Sequence, residues 1–172
     1  PATVAAERGM GVLLPGTISE AADQTLVALL AAESGLVPVA LVLDGPTVAR
    51  SLQEALVASP ELVERLVGRP ADTVHSSGPA EIELFGEHRR RVPRWHDAHR
   101  PLRLGGEWAG AGGRAALAGE WLLFAHILGE RPDAAAKTVS AATGRPLPGV
   151  SGERTAKVDL ALVAYGGMAA SA

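Results

Sequence analysis

The chain has 172 residues, 47% of them hydrophobic but only 3% aromatic, and a formal net charge of -3. That length supports one domain over residues 1–172 with a core built from Ala, Val and Leu, and the mildly acidic balance argues against a general nucleic-acid binder. Cysteine is absent, which excludes disulfides, thiolate metal sites and any Cys nucleophile within the chain.

The opening PATVAAERGM lacks the charged-then-apolar order of a signal peptide, and no apolar run reaches the roughly 18 residues of a membrane span. A soluble, cytoplasmic protein without a membrane partner is expected. In chain order, MGVLLPG (10–16) is a short buried strand closed by Pro15-Gly16. Residues 17–35 start on a capping-like Thr17/Ser19 and end at Gly35, which predicts a helix, although TLVALLAA (25–32) fits a strand equally. LVPVALVLDG (36–45) is a second buried strand. PTVARSLQEALVASP (46–60) has Val48, Leu52, Leu56 and Val57 on one helical face and predicts an amphipathic helix. A short helix over 60–68, a strand at 72–75 and a helix opened by Pro79 follow.

Residues 86–103 hold six arginines, three histidines and two prolines, and read as an exposed loop around a short strand. A glycine-rich turn, LGGEWAGAGG (104–113), leads into a strongly apolar helix over 114–129 whose small residues suit packing between layers. Residues 130–154 read mostly as loop. KVDLALVAYGG (157–167) closes as a strand and glycine turn, with MAASA (168–172) as a last short strand. The abundance of Ala and Gly favours a layered α/β fold.

Single motifs carry little chemistry. GAGGRA (110–115) fits a loose G-x-G-x-x-A, but no acid stands at a following strand tip, and no Lys-Ser/Thr pair makes it a P-loop. His96, Asp97 and His99 sit on the Arg-rich loop, where solvated histidines are the ordinary expectation, and a metal would need further ligands from afar. His126 reads as a core histidine. Ser76 and Ser77 follow His75, yet adjacency in sequence supplies neither an orienting acid nor an oxyanion hole. The arginines Arg89, Arg90, Arg91 and Arg94 read equally as a solvated face and as a docking patch for an acidic partner.

Taken in order, VHSSGP (74–79), LGGEWAGAGG (104–113) and ALVAYGG (161–167) resemble the C-terminal half of a β-ketoacyl synthase, the thiolase-like family of chain-elongating enzymes. That half carries a His-Gly-Thr-Gly-Thr loop, then Lys-x-Asn-x-Gly-His-x-x-x-Ala-x-Gly, then a Gly-Phe-Gly-Gly turn. The flanks GMGVLL (9–14), DGPTVARSLQEAL (44–56) and AGGRAALAGEWLL (111–123) are similar to the family's corresponding segments, so the resemblance covers most of residues 8–172. It implies an α/β, thiolase-like half: a mixed β-sheet layered with helices.

The departures bear on activity. His75 stands at the first catalytic histidine, but its loop continues Ser76-Ser77-Gly78-Pro79. Glu107, after Gly106, stands at the second histidine, Leu104 at the Asn and Leu102 at the Lys. Tyr165, Gly166 and Gly167 keep the closing turn, with Ala164 in place of its first glycine. The family's nucleophilic Cys belongs to an N-terminal half that this sequence does not contain.

The family reaction needs a thiolate to carry the acyl group and imidazoles to stabilise a developing enolate. A carboxylate at Glu107 would oppose that charge by about 4 kcal/mol at ~4 Å and an effective dielectric of ~20, roughly a thousandfold in rate. The resemblance therefore implies a non-catalytic subunit, comparable to the chain-length-factor subunits of type II polyketide synthases, or half of a split synthase completed by a Cys-bearing chain. No cofactor is implied. A lone half would bare its 114–129 helix, so a partner is expected: a second copy, a ketosynthase, or an N-terminal-half protein, with an acyl carrier protein received on Arg89, Arg90, Arg91 and Arg94.

Overall fold

The computed structural model describes residues 2–7, 9–94, 115, 119, 129–149 and 163–171. A short helix α1 (Ala2–Glu7) precedes β1 (Gly11–Leu13), α2 (Ile18–Gly35) and β2 (Val39–Leu41). Then come α3 (Pro60–Val67), β3 (Thr73–His75), α4 (Pro79–Phe85), β4 (His88–Arg90) and α5 (Glu130–Thr143). The described residues thus form a mixed α/β structure with two two-stranded sheets, β1–β2 and β3–β4.

β1 and β2 pair in parallel, Gly11 opposite Val39 and Leu13 opposite Leu41, which requires a crossover, and α2 supplies it. Helix, rather than strand, prevails through TLVALLAA because α2 is capped and packed along its length. Thr17 Oγ1 accepts from the Glu20 amide at 3.1 Å, and Glu20 Oε2 accepts from the Gly16 amide at 2.9 Å. Leu36 ends the helix in the left-handed region at φ 50°.

The core sits where α2 crosses α5. Leu26, Val27 and Ala31 of α2 pack with Ala135 and Val139 of α5, and Leu13, Val39, Val63 and Leu66 close around them. Alanines at the contact let the backbones approach, and each fully buried Val or Leu contributes about 1.5–3 kcal/mol. Beyond α5 the chain turns at Gly144, whose φ of 71° is left-handed, and Arg145 reaches back to Asp23 on α2. Its Nε and Nη2 donate to the two oxygens of that buried carboxylate at 2.6 and 2.5 Å.

β3 and β4 are antiparallel, with Val74 opposite Arg89 and His75 opposite His88. The ladder continues past the strand ends, Arg91 donating to Asp72 O at 2.7 Å and Ser76 to Glu87 O at 2.9 Å. Because α4 is threaded between the two strands, its N-terminus and the loop after His75 are held at the same end of this sheet.

Three sequence expectations give way. Residues 46–60 do not form an amphipathic helix: one π-type turn, Gly45–Ala49, is followed by an irregular stretch until α3. The apolar spacing was present, but Leu52, Leu56 and Val57 face solvent, so the stripe has no described surface to cover, and an isolated helix of this length is marginal in water. The stretch is instead tied across the start of α2, Ser19 Oγ accepting from the Leu56 amide at 2.9 Å. Residues 130–154 are not mostly loop. The alanine-rich run 134–142 favours helix, and Pro132 lies in the first turn, where its missing N–H breaks no bond. Lastly, Gly166–Ser171 is a 3-10 turn, not a strand. Of the 114–129 helix, Ala115 and Gly119 are helical, and its other residues up to 128 lie outside the described set, as do residues 157–162. No helix among the described residues is long and apolar enough to cross a membrane.

The Asp23–Arg145 pair should be a measurable clamp between α2 and the end of α5. Its hydrogen bonds to Asp23 raise the Arg145 guanidinium above an ordinary arginine. A raised cation contributes fully below its unfolded value and is lost only as pH rises through its folded value, so on the arginine side the clamp is intact throughout the neutral range. Asp23→Asn is expected to lower unfolding free energy by about 1.5–3 kcal/mol, read by urea denaturation monitored by circular dichroism. A change below a few tenths would show that the pair contributes nothing net.

Candidate functional site

His75 ends β3 with its imidazole exposed and stacked on that of His88, ring centroids 5.4 Å apart and planes 22° from parallel. The loop after it is pinned by its two serines. Ser76 Oγ donates to Gly86 O at 2.6 Å, and Ser77 Oγ donates to Ser34 O of α2 at 3.1 Å. Both hydroxyl protons are thus committed to carbonyls, and among the described residues no hydrogen bond joins either serine to His75. This is a positioned histidine loop without a serine nucleophile.

Behind the loop lies a fully buried ion pair. Arg89 Nε donates to Glu81 Oε2 at 2.7 Å, with the two side chains 2% and 0% exposed. The same carboxylate oxygen accepts the Ser77 amide at 3.1 Å, tying the histidine loop to the first turn of α4. Arg89 Nη1 donates to Arg90 O at 3.0 Å and Arg91 O at 2.8 Å, and Nη2 donates to Glu33 O at 2.7 Å. The Glu33 carbonyl belongs to the last turn of α2, where helical carbonyls lack intrahelical donors and a cation is favoured. One guanidinium therefore joins β4, α4 and the C-terminus of α2.

This corrects the docking assignment for Arg89: its charge is spent inside the protein and is not presented to a partner. The neighbours divide. Arg91 faces Glu33 and Asp72 at 3.9 and 4.0 Å and is mostly covered, Arg90 is half-buried, and Arg94 is exposed. Arg89 and Arg90 are successive on β4 and point to opposite faces, while Arg91 and Arg94 lie beyond the strand.

Arg131, from the first turn of α5, donates to Ser77 O at 3.2 Å and brings that helix against the same loop. Sequence reasoning missed it because residues 130–154 were expected to be loop. Together α2, β3, β4 and α5 enclose an open cleft of about 250 Å³, with His75 and Ser77 on its wall.

The closing glycine turn lies in a different place. Tyr165 and Gly166 border a second cleft, about 240 Å³, with Leu14, Val42 and Asp44. Gly166 is left-handed at φ 61°. A Cβ on Gly167 would collide with the Thr47 side chain and stand 2.8 Å from Asp44 Oδ2, so only glycine fits there. No lining residue is common to the two clefts, so the structure does not bring His75 and Tyr165 into one cavity. Gly106 and Glu107 lie outside the described residues, as do His96, Asp97, His99 and His126. No group of three or more potential metal ligands occurs among the described residues. Comparison with protein-family models, characterised proteins and solved structures finds no match to this chain.

Replacing Arg89 by Met should strand the Glu81 carboxylate in the interior and remove the donors to three carbonyls. The expected loss is about 3–5 kcal/mol, against less than about 0.5 kcal/mol for Arg94→Ala at the exposed position. Chemical denaturation of the two variants side by side checks this, and equal stabilities would contradict the buried hub.

Proposed function

We propose that the chain is a non-catalytic, ketosynthase-like subunit, chain-length-factor-like in role, that associates with a ketosynthase or a ketosynthase-half partner in polyketide or fatty-acid biosynthesis. The observation that carries the reading is the combination around His75. A histidine at a strand tip opens on a cleft, in register with the family's other two motifs, while the chain contains no cysteine and has Glu107 at the second histidine position. Such a chain cannot hold an acyl group as a thioester and lacks one of two imidazoles for the enolate.

The finer fold belongs to the same proposal: a thiolase-like half whose helix over 114–129 is covered by the partner. The solvent-facing Leu52, Leu56 and Val57 add apolar surface suited to association. Acyl carrier protein, which is acidic, would meet Arg94 and the partly covered Arg90 and Arg91, now without Arg89. The exposed imidazole of His75 favours a second reading, in which this chain is half of a split β-ketoacyl synthase and His75 serves a cysteine brought by a separate N-terminal-half chain.

The purified chain, incubated with acyl- and malonyl-carrier protein, is expected to form no β-ketoacyl product, and light scattering should show an assembly larger than one chain, alone or with a co-expressed partner. Turnover by the chain alone would end the non-catalytic proposal. A product that appears only with a Cys-bearing partner and vanishes with His75→Ala would select the split-synthase reading. A partner-independent monomer across micromolar concentrations would refute both.

A further inference from the structure

The cleft between α2 and α5 has features that a relic histidine loop does not require. Three guanidinium groups border it: Arg89, whose donors are already engaged within the protein, and two from other places, Arg91 just past β4 and Arg131 in the first turn of α5. A guanidinium carries five N–H donors, and the latter two side chains have donors to spare. Arg131 makes one hydrogen bond, to Ser77 O, and no ion pair to a carboxylate among the described residues. Arg91 meets its carboxylates only at 3.9 and 4.0 Å, and the nearer oxygen, Glu33 Oε2, is itself enclosed with no hydrogen bond among the described residues. The Nε of each is enclosed and has no hydrogen-bond partner among the described residues. Surplus enclosed donors of this kind are uncommon in a finished interior and are met when an acceptor arrives.

The rest of the cleft defines that acceptor. Leu30, Val74, Ala134 and Ala135 line it with hydrocarbon, so the ligand has an apolar part. Glu33 shares the wall and repels a second negative charge, which favours a monoanion over a phosphate dianion. The volume, about 250 Å³, lies below the range of roughly 300–1,000 Å³ of drug-sized sites, so the ligand is small. Planar carboxylate matches the guanidinium fork better than a point acceptor does.

We propose that this cleft binds a short aliphatic monocarboxylate, its carboxylate between Arg91 and Arg131 and its chain along Leu30, Val74, Ala134 and Ala135. The site rests on these side chains alone. It stands or falls separately from the association with a ketosynthase, because it needs no partner and no turnover.

The test is a titration of the isotope-labelled full chain, followed by NMR, with hexanoate, 1-hexanol and inorganic phosphate. Hexanoate is expected to give saturable shifts centred on Val74, Ala134 and Ala135, at least tenfold tighter than the uncharged alcohol or the phosphate. Arg131→Gln should weaken hexanoate tenfold or more. Ala134→Met fills the cleft from an exposed helical position and leaves both arginines in place, so it should weaken hexanoate even if the arginine variant fails to fold. The proposal is overturned if hexanoate does not saturate, if hexanol binds equally well, if phosphate binds more tightly than hexanoate, or if Ala134→Met binds hexanoate like the unaltered chain.

Discussion

The ion pair between Glu81 and Arg89 is the constraint on which the arrangement around His75 depends. Two charges are removed from water, which is unfavourable unless every remaining donor finds an acceptor. Arg89 meets that condition by spreading its donors over Glu81 and the carbonyls of Glu33, Arg90 and Arg91, while Glu81 Oε1 is enclosed with no hydrogen-bond partner among the described residues. A buried pair of this kind adds little net stability compared with a well-packed apolar pair. It does penalise misplacement: shifting β4 by one residue against β3 would send Arg89 to the opposite face and leave Glu81 alone in the interior. The register that sets His75 opposite His88 is thereby tied to the end of α2.

The cleft beside the loop is built outward from that pair. α2 contributes its last turns, α5 leans on it through Val139 and Ala135, and Arg131 bridges to the carbonyl of Ser77. The Asp23–Arg145 clamp holds the far end of α5 to the same helix. The histidine loop is therefore supported by α2 and α5 together, and the cleft wall is made of side chains whose positions are fixed by packing rather than by the loop itself.

Much of the local structure could be read from the residues, and the failures have identifiable causes. The capping-like Thr17 announced α2, Pro79 announced the start of α4, and a helix over 60–68 and a strand at 72–75 were expected where α3 and β3 lie. The helix expected over 46–60 failed because periodicity shows only that an apolar stripe exists, not that anything covers it. α5 was overlooked although residues 134–142 are alanine-rich, because residues 130–154 as a whole, with Pro132, Gly144 and Pro146 among them, read as loop. Arg89 was grouped with its exposed neighbours because a run of arginines does not reveal which one turns inward; the only hint was the acidic Glu81 inside a short helix eight residues before. Arg131 became visible only once α5 existed. The separation of His75 from Tyr165 into different clefts is a matter of tertiary packing that no short motif encodes.

The close approach of Gly167 to Thr47 has a consequence in time as well as in space. The turn that carries Asp44 and Thr47 is synthesised before the glycine that fits against it, which follows about 120 residues later. Closing that contact joins segments about 120 residues apart, much like the Asp23–Arg145 clamp, with the loop entropy that entails. β1, α2, β2 and the turn after them are therefore made before this contact can form, and Gly167 closes on them from a segment synthesised later.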